Sequence, residues 1–346
     1  MRERTQNVLT TQRNQSRLEH AASAKRRQDH TVSVPHAATM QAELYSLKQM
    51  HKTIGVDLMG SEVSPDIICR AVLAAIPRLP SVTFVLFHTK DFVLPQEYQQ
   101  ESVLADSVIS MEDAPAKAVR SKKRSTLVLG IKALADKKID AFLSCGNTGA
   151  LVAASHLYLE PLSGITRPAL VARFPTSHGT MLVLDVGANL TTKASQLIEF
   201  AHLGARLAHE KFHNTKPKVA LLNIGVESEK GTKELREAYH ALEALETTSF
   251  EFIGNIEPKE VWKKPVDVLV TSGFSGNIFL KTAEGVASFV IDVVADKLGA
   301  DITKLRERLG DEASQGALVA GVNGLVIKCH GSSSQKAILN AILGIN

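Results

Sequence analysis

Ser144-Cys145-Gly146-Asn147-Thr148-Gly149-Ala150 follows the apolar run 139–143 and precedes 150–159, whose composition favours a helix. The order is strand, Gly/Asn turn, helix. It returns three times: 181–186 leads into Gly187-Ala188-Asn189, 219–222 into Asn223-Ile224-Gly225, and 266–270 into Ser272-Gly273-Phe274-Ser275-Gly276-Asn277. In an open parallel sheet such turns gather at the carboxyl ends of the strands, where ligands bind. Glycine lets the backbone approach an anion closely, and free N–H groups at helix starts hold it. Any αβ chain needs glycines at tight connections, so one copy says little. Four copies, each with Asn, Ser or Thr donors, predict a shared anion site.

Working outward, 53–56 reads as a buried strand ending at Asp57, and 65–76 as a helix opening on a proline. Strands are expected at 81–88 and 107–110, and a helix at 125–136 with Ser125 as its N-cap. Further helices are expected at 196–209, 234–246 and 281–298. This alternation predicts a three-layer α/β/α sandwich around a mainly parallel sheet.

Hydrophobic residues make up 44% and charged residues 22% of the 346, an ordinary soluble composition. The net charge of +4 is confined to residues 1–50, which hold eight Lys/Arg against four Asp/Glu. The remainder is formally neutral, which argues against a nucleic-acid-binding body. No apolar run approaches the ~20 residues that span a bilayer. Residues 1–52 are rich in Arg, Gln, Ser and His and read as a flexible extension. A transit peptide has similar composition, but a misplaced start is the preferred account, with Met40 or Met50 as the true start. A cytoplasmic protein is expected.

Cys69, Cys145 and Cys329 are scattered and suggest neither a disulfide framework nor a zinc site. Cys145 lies inside the opening turn, yet no His partner can be assigned to it, and it reads as a small buried residue. Walker A, Gly-x-Gly-x-x-Gly, His-Glu-x-x-His and Gly-x-Ser-x-Gly patterns are absent from the expected places. Asp57, Glu62 and Asp185 are the carboxylates that could meet at a metal, but strand-end aspartates more often brace turns. No metal and no cofactor are expected. The loop 225–231 places Lys230 before a helix start, where it can neutralise a bound anion. The run Arg120-Ser121-Lys122-Lys123-Arg124 reads either as solvated charge or as a surface for an acidic partner.

These segments together resemble the bacterial acyl-carrier-protein:phosphate acyltransferase family of phospholipid synthesis (the PlsX family). The resemblance is carried by Val56-Asp57-Leu58-Met59-Gly60, 119–124, 144–151, Gly164-Ile165-Thr166-Arg167-Pro168-Ala169, 184–189, 222–231, 271–284 and His330-Gly331-Ser332-Ser333, in order over 53–345. It implies a phosphate acyltransferase catalytic domain over 53–346, with a fold similar to isopropylmalate dehydrogenases and phosphotransacetylases. It further implies a homodimer, with acyl carrier protein and inorganic phosphate as partners, and peripheral contact with a membrane or a downstream acyltransferase. Lys230 and Asn277 are then expected to be catalytic. Asp57, Gly60, Gly146, Asn147, Thr148, Gly149, Asp185, Asn189, Gly276 and His330 are expected to bind substrate, and Lys122, Lys123 and Arg124 to dock the carrier protein.

The chemistry needs no covalent nucleophile. Phosphate is anionic near neutral pH and attacks a thioester directly, and a thiol with pKa near ~8.5 leaves as thiolate. The remaining alternatives are a phosphotransacetylase using a coenzyme A thioester and a non-enzymatic anion- or carrier-binding module. This chain departs from the family pattern at Ser61-Glu62, Thr191, Thr232 and Ser272, and 284–321 is shorter than usual.

Overall fold

The computed structural model describes residues 53–298, 302, 309 and 316–345; the extension read at 1–52 lies outside the described residues, as does much of the shortened 284–321 region. Among the described residues, runs of Val, Ile, Leu and Phe form eleven strands of one sheet. They are β1 (Thr53–Asp57), β2 (Thr83–Thr89), β3 (Glu101–Ala105), β4 (Ala141–Ser144), β5 (Ala169–Thr176), β6 (Gly179–Leu184), β7 (Lys218–Leu222), β8 (Glu251–Ile256), β9 (Val268–Val270), β10 (Ala317–Ala320) and β11 (Leu325–Lys328). The spatial order is β3-β2-β1-β4-β11-β10-β5-β6-β9-β7-β8. The helices are α1 (Pro65–Ala75), α2 (Pro115–Ser121), α3 (Thr126–Ala135), α4 (Thr148–Tyr158), α5 (Ala194–Phe212), α6 (Lys233–Glu243), α7 (Gly273–Leu298) and α8 (Gln335–Leu343).

Both sheet faces are covered, so the central strands are apolar throughout. Their period of two sends alternate residues to different cores. Ile54, Val56, Phe84, Leu86, Ala141 and Leu143 pack on α1 and α8. Leu182, Leu184, Val219, Leu221, Val268 and Val270 meet Phe200 of α5 and Leu242 of α6 on that face of the other half. The opposite face carries one core that crosses the whole sheet. It joins Phe87 and Phe142 to α3 and α4, and Met181, Val183 and Leu269 to Phe279 and Leu280 of α7. The result is the expected α/β/α sandwich.

The sheet is not uniformly parallel. One parallel group is β3-β2-β1-β4-β11 and another is β6-β9-β7-β8. Between them β10 and β5 each run antiparallel to both neighbours. The two parallel groups therefore point in opposite directions. The turn after β4 lies at one group's carboxyl end, and the turns after β6, β7 and β9 lie at the other's. The expectation of four turns on one edge is thus corrected to one turn on one group and three on the other.

Three local expectations also change. The strand sought at 107–110 is at Glu101–Ala105, and Ser107 makes only an isolated bridge to Ser125. The helix expected from 281 begins at Gly273, because its first-turn glycines serve close packing and not a turn. A Cβ on Gly276 would overlap the Asp185 carbonyl oxygen, and one on Gly273 would stand 2.7 Å from Asp185 Oδ2. The turns after β6 and β7 do not open directly into helices; α5 starts at Ala194 and α6 at Lys233.

Gly130 sits in α3 against the ring of Phe142, where any Cβ would overlap the ring carbons. Alanine would gain about 1 kcal/mol in helix propensity, but overpacking costs roughly 1–3 kcal/mol. Gly130→Ala is expected to lower the urea midpoint at unchanged denaturant slope; a raised midpoint would show that the α3–β4 contact is looser than described.

Candidate active site

The candidate residues fall into two clusters joined by one helix. At the end of β1 and β4, Ser144 donates from Oγ to Asp57 Oδ2 at 2.9 Å and accepts the Gly146 N–H at 3.0 Å. The Met59 N–H donates to Asp57 Oδ1 at 3.1 Å. Burial pushes the Asp57 carboxyl up to about 6, opposed by hydrogen bonds from Thr126, the Met59 N–H and Ser144 and by the charge of Lys328. Gly60 turns here with φ +73°, and a Cβ at that position would overlap the Ile109 carbonyl. Asp57 and Gly60 are therefore the floor of the turn.

Asn147 has a different role from the one expected. Its Oδ1 caps α4 by accepting the Ala150 N–H at 3.0 Å, and its Nδ2 donates to the carbonyls of Ser110, Met111 and Asp113 at 3.1–3.2 Å. Both amide hydrogens are spent on the loop 110–113, so Asn147 shapes the wall without offering a donor to phosphate. The Gly146 N–H is likewise taken by Ser144. What remains at this helix start are the N–H groups of Thr148 and Gly149 and the Thr148 hydroxyl, all half-buried. Gly149 is required because a Cβ would stand 2.7 Å from Pro115.

The second cluster is built on Asp185, fully buried. Its carboxylate accepts the N–H groups of Leu170, Gly187, Ala188 and Asn189 and the Asn189 Nδ2 at 2.7–3.0 Å. Burial raises this carboxyl, against donors that favour its ionised form. Asn189 also donates to the Pro168 carbonyl at 2.8 Å. Asp185 and Asn189, both expected to bind substrate, brace the turn 185–189 and tie it to β5 and Pro168. Against them lies the first turn of α7, seated by Gly273 and Gly276, so Gly276 too is a packing residue. Asn277 emerges beside Gly187, half-buried, and its side-chain amide has no hydrogen-bond partner among the described residues.

Lys230 is held on the neighbouring β7 loop. Asn223 donates from Nδ2 to the Lys230 carbonyl at 3.0 Å, and the Lys230 N–H donates to the Glu227 carbonyl at 3.2 Å. Its backbone is fixed while its ammonium is exposed and makes no ion pair among the described residues.

Helix α7 connects the clusters. Asn277, Lys281 and Glu284 follow at spacings of four and three and share one helix side. Glu284 Oε1 lies 3.5 Å from His330 Nε2, in the loop after β11. His330 is not at a helix start: α8 begins at Gln335 with Ser334 as its N-cap. Buried Lys328, unnoticed in the sequence, donates to the Cys145 and Cys329 carbonyls. Burial first, and then Lys281, hold its ammonium below the usual lysine value. The sequence signal for it was a lysine closing an apolar run directly before Cys-His-Gly. Cys145 is hydrogen-bonded to Cys329 and buried, which holds its thiol well above the ordinary range and makes it inert.

The basic run divides. Lys122 Nζ pairs with Asp113 at 2.5 Å and donates to the Val108 carbonyl at 2.9 Å, which also holds the Asp113 carboxyl below its usual value. Arg124 pairs with Asp106. Both of these residues, expected to dock the carrier protein, are paired with acids close by in the chain. Lys123 and Arg120 stay exposed and without a partner among the described residues.

Several departures from the expected pattern have a physical account. Ser272 caps α7 by accepting the Ser275 N–H at 3.3 Å, and Thr232 caps α6 by accepting the Leu235 N–H at 3.3 Å. Ser61 bonds the Val63 carbonyl, and Glu62 lies against Gly331. Nothing in the structure explains Thr191. Among the described residues no group of three His, Cys, Asp or Glu is placed to hold a metal ion, and Asp57 and Asp185 stand in separate clusters. No helix among them is long and apolar enough to cross a membrane.

The fold is that of the phosphotransacylases. It is similar to a branched-chain phosphotransacylase from Enterococcus faecalis V583 with a TM-score of 0.57, at 15% identity, over 84% of this chain and 96% of that one. A phosphotransacetylase from Streptococcus pyogenes gives a TM-score of 0.55 at 16% identity, over 88% of this chain and 97% of that one. A family model described as fatty acid synthesis protein matches residues 52–345, and the chain belongs to that family. The phosphate acyltransferase of Chlamydia pneumoniae is 38% identical over 308 residues, covering 85% of this chain and 94% of that protein. That of Brevibacillus brevis is 40% identical over 309 residues, covering 84% and 91%.

Asp57 supplies a pH test. Its folded value, raised from 3.8 to about 6, means that the native state binds the proton more tightly than the unfolded chain. The favourable contribution is full below the unfolded value and is lost as pH rises through the folded one. Relative to Asp57→Asn, the wild type should lose about 2 kcal/mol of stability between pH 4 and 7. Denaturant titrations across that range measure it, and a flat difference would contradict the assignment.

Proposed function

We propose that this chain transfers a fatty acyl group from acyl-acyl carrier protein to inorganic phosphate, yielding acyl phosphate for phosphatidic acid synthesis. A phosphate oxygen attacks the thioester carbonyl carbon and forms the new C–O bond. The tetrahedral intermediate collapses by breaking C–S, and the thiolate leaves with the electron pair, taking up the proton released by phosphate. The protein holds the two substrates in line and stabilises the oxyanion.

The observation that carries this reading, alongside the family, is the pair of unpartnered polar groups on neighbouring loops. Lys230 neutralises phosphate or the developing oxyanion, and Asn277 donates to the reacting carbonyl. His330 meets Glu284 on the same helix, seven residues on from Asn277, and the N–H groups of Thr148 and Gly149 with the Thr148 hydroxyl offer a separate anion-holding wall after β4. The enzyme acts in the cytoplasm as a homodimer, with peripheral contact to a membrane or a downstream acyltransferase. The carrier protein, being acidic, docks at Lys123 and Arg120.

Phosphate-dependent thiol release from acyl carrier protein, with acyl phosphate trapped as hydroxamate, tests the reaction; a coenzyme A thioester run in parallel separates the two donors. Lys230→Ala should lower kcat by about 10²–10³-fold, the size of a lost oxyanion contact, without altering the circular dichroism spectrum. Undiminished turnover would remove Lys230 from the mechanism. Lys123→Glu with Arg120→Glu should raise KM for the carrier-protein donor several-fold at low salt and less at high salt, as charge steering requires. A salt-independent effect would place docking elsewhere.

A further inference from the structure

Five large apolar side chains stand in solvent on the segments that follow β6, β7 and β9, two of which carry Lys230 and Asn277. Leu190 follows β6, Ile224 and Val226 follow β7, and Phe274 and Ile278 belong to the start of α7 after β9; their exposures run from 51% to 79%. Strands β6, β9 and β7 are neighbours in the sheet, with β9 in the middle, so the strand ends from which these segments leave are spaced about 5 Å apart in turn. Scattered exposed apolar residues are ordinary, but a contiguous group is not.

The exposure is built in. Ile224 is turned outward by its N–H bond to Asn223 Oδ1 at 2.8 Å, while Asn223 Nδ2 ties the loop to the Lys230 carbonyl. Asn255 Nδ2 holds the same loop at the Glu227 carbonyl, 2.9 Å away. On α7 two rows lie side by side: Phe274 and Ile278, spaced by four, beside Asn277 and Lys281, spaced by four. One row is apolar and the next is polar, the division found in an acyl thioester or acyl phosphate itself.

We propose that Phe274 and Ile278 of α7, with Leu190, Ile224 and Val226 of the flanking loops, form the track on which the substrate's acyl chain lies while its carbonyl reaches Asn277. This rests on the acyl-transfer reading above and adds to it the residues that sense chain length. The occupant is the acyl chain and not a second copy of the protein, because a protein surface seated there would cover Lys230 and Asn277 as well. The chain makes no polar demand on the track, and the two reacting groups stay free for the carbonyl and phosphate.

The test compares palmitoyl- and butyryl-acyl carrier protein with the full chain, with Phe274→Ser, with Ile278→Ser, and with Leu104→Ser as a control on the exposed edge strand β3. Each track substitution should lower the ratio of kcat/KM for palmitoyl over butyryl donor about tenfold, the scale of one half-buried apolar side chain. The Leu104→Ser ratio should match the wild type. An unchanged ratio in active track variants overturns the proposal. An unchanged ratio with an altered sedimentation coefficient gives the patch to a second copy and overturns it too. Binding of a non-reacting palmitoyl thioether is measured in the same proteins. If no donor yields acyl phosphate, the transfer reading falls. In that case weaker thioether binding in the track variants alone sustains the track, and equal binding overturns it.

Discussion

The buried carboxylate of Asp185 is the interaction on which the rest depends. Five donors converge on it from the turn 185–189 and from β5, so it fixes the turn's shape and joins that turn to the antiparallel strand beside it. Removing a charge from a site so densely supplied with N–H groups would leave several buried donors unpaired, at about 1–3 kcal/mol each. The same turn is the surface on which α7 lands. Gly273 and Gly276 let the helix backbone come within reach of the Asp185 and Asn189 main chain, and that landing sets where Asn277 points.

From this landing the helix extends as a rigid bar to the other half of the molecule, where Glu284 meets His330. The two parallel strand groups face opposite ways, so their loops would not share a site by topology alone. The helix supplies what the sheet withholds. Polar residues divide the work: Asn147, Asn189 and Asn223 spend their amides holding backbone in place, while Asn277 and Lys230 do not. Before α7, Ser272 makes the capping bond through a hydroxyl that carries no charge, which favours an anion at that helix start.

Much of the architecture was readable in the sequence, because β1, β4, β6, β7 and β9 are apolar runs closed by Gly or Asn turns and β2 is a plain apolar run. Strand β5 runs into β6, and β10 into β11, as antiparallel pairs with no helix between them, so they break the strand–helix alternation that marks the others, and β8 opens on Glu251 and carries Gly254-Asn255. Without them the reversal of direction was hidden, and with it the separation of the turns. In the site, residue types were visible but their hydrogen-bond partners were not. Asn147 and Asn277 look alike as letters; only the carbonyls of 110–113 tell a spent amide from a free one. Lys122 and Lys123 differ in the same way, through Asp113. Lys281 and Glu284 fall inside the helix expected at 281–298, but because 273–277 reads as a glycine turn, their sharing a helix side with Asn277 was hidden.

The position of β10 and β11 has a consequence in time. They are the last strands in the chain, yet they lie at the middle of the sheet, between β4 and β5. Until residues 317–328 pair with them, β4 and β5 each lack the neighbour that joins them; in the finished sheet these two strands stand about 14 Å apart, three strand spacings. Both edges, β4 and β5, are apolar and unpaired in that interval, the condition that favours association with other chains. The molecule is thus closed from its centre by its final segment, as a keystone closes an arch, and its vulnerable period is the one before that segment arrives.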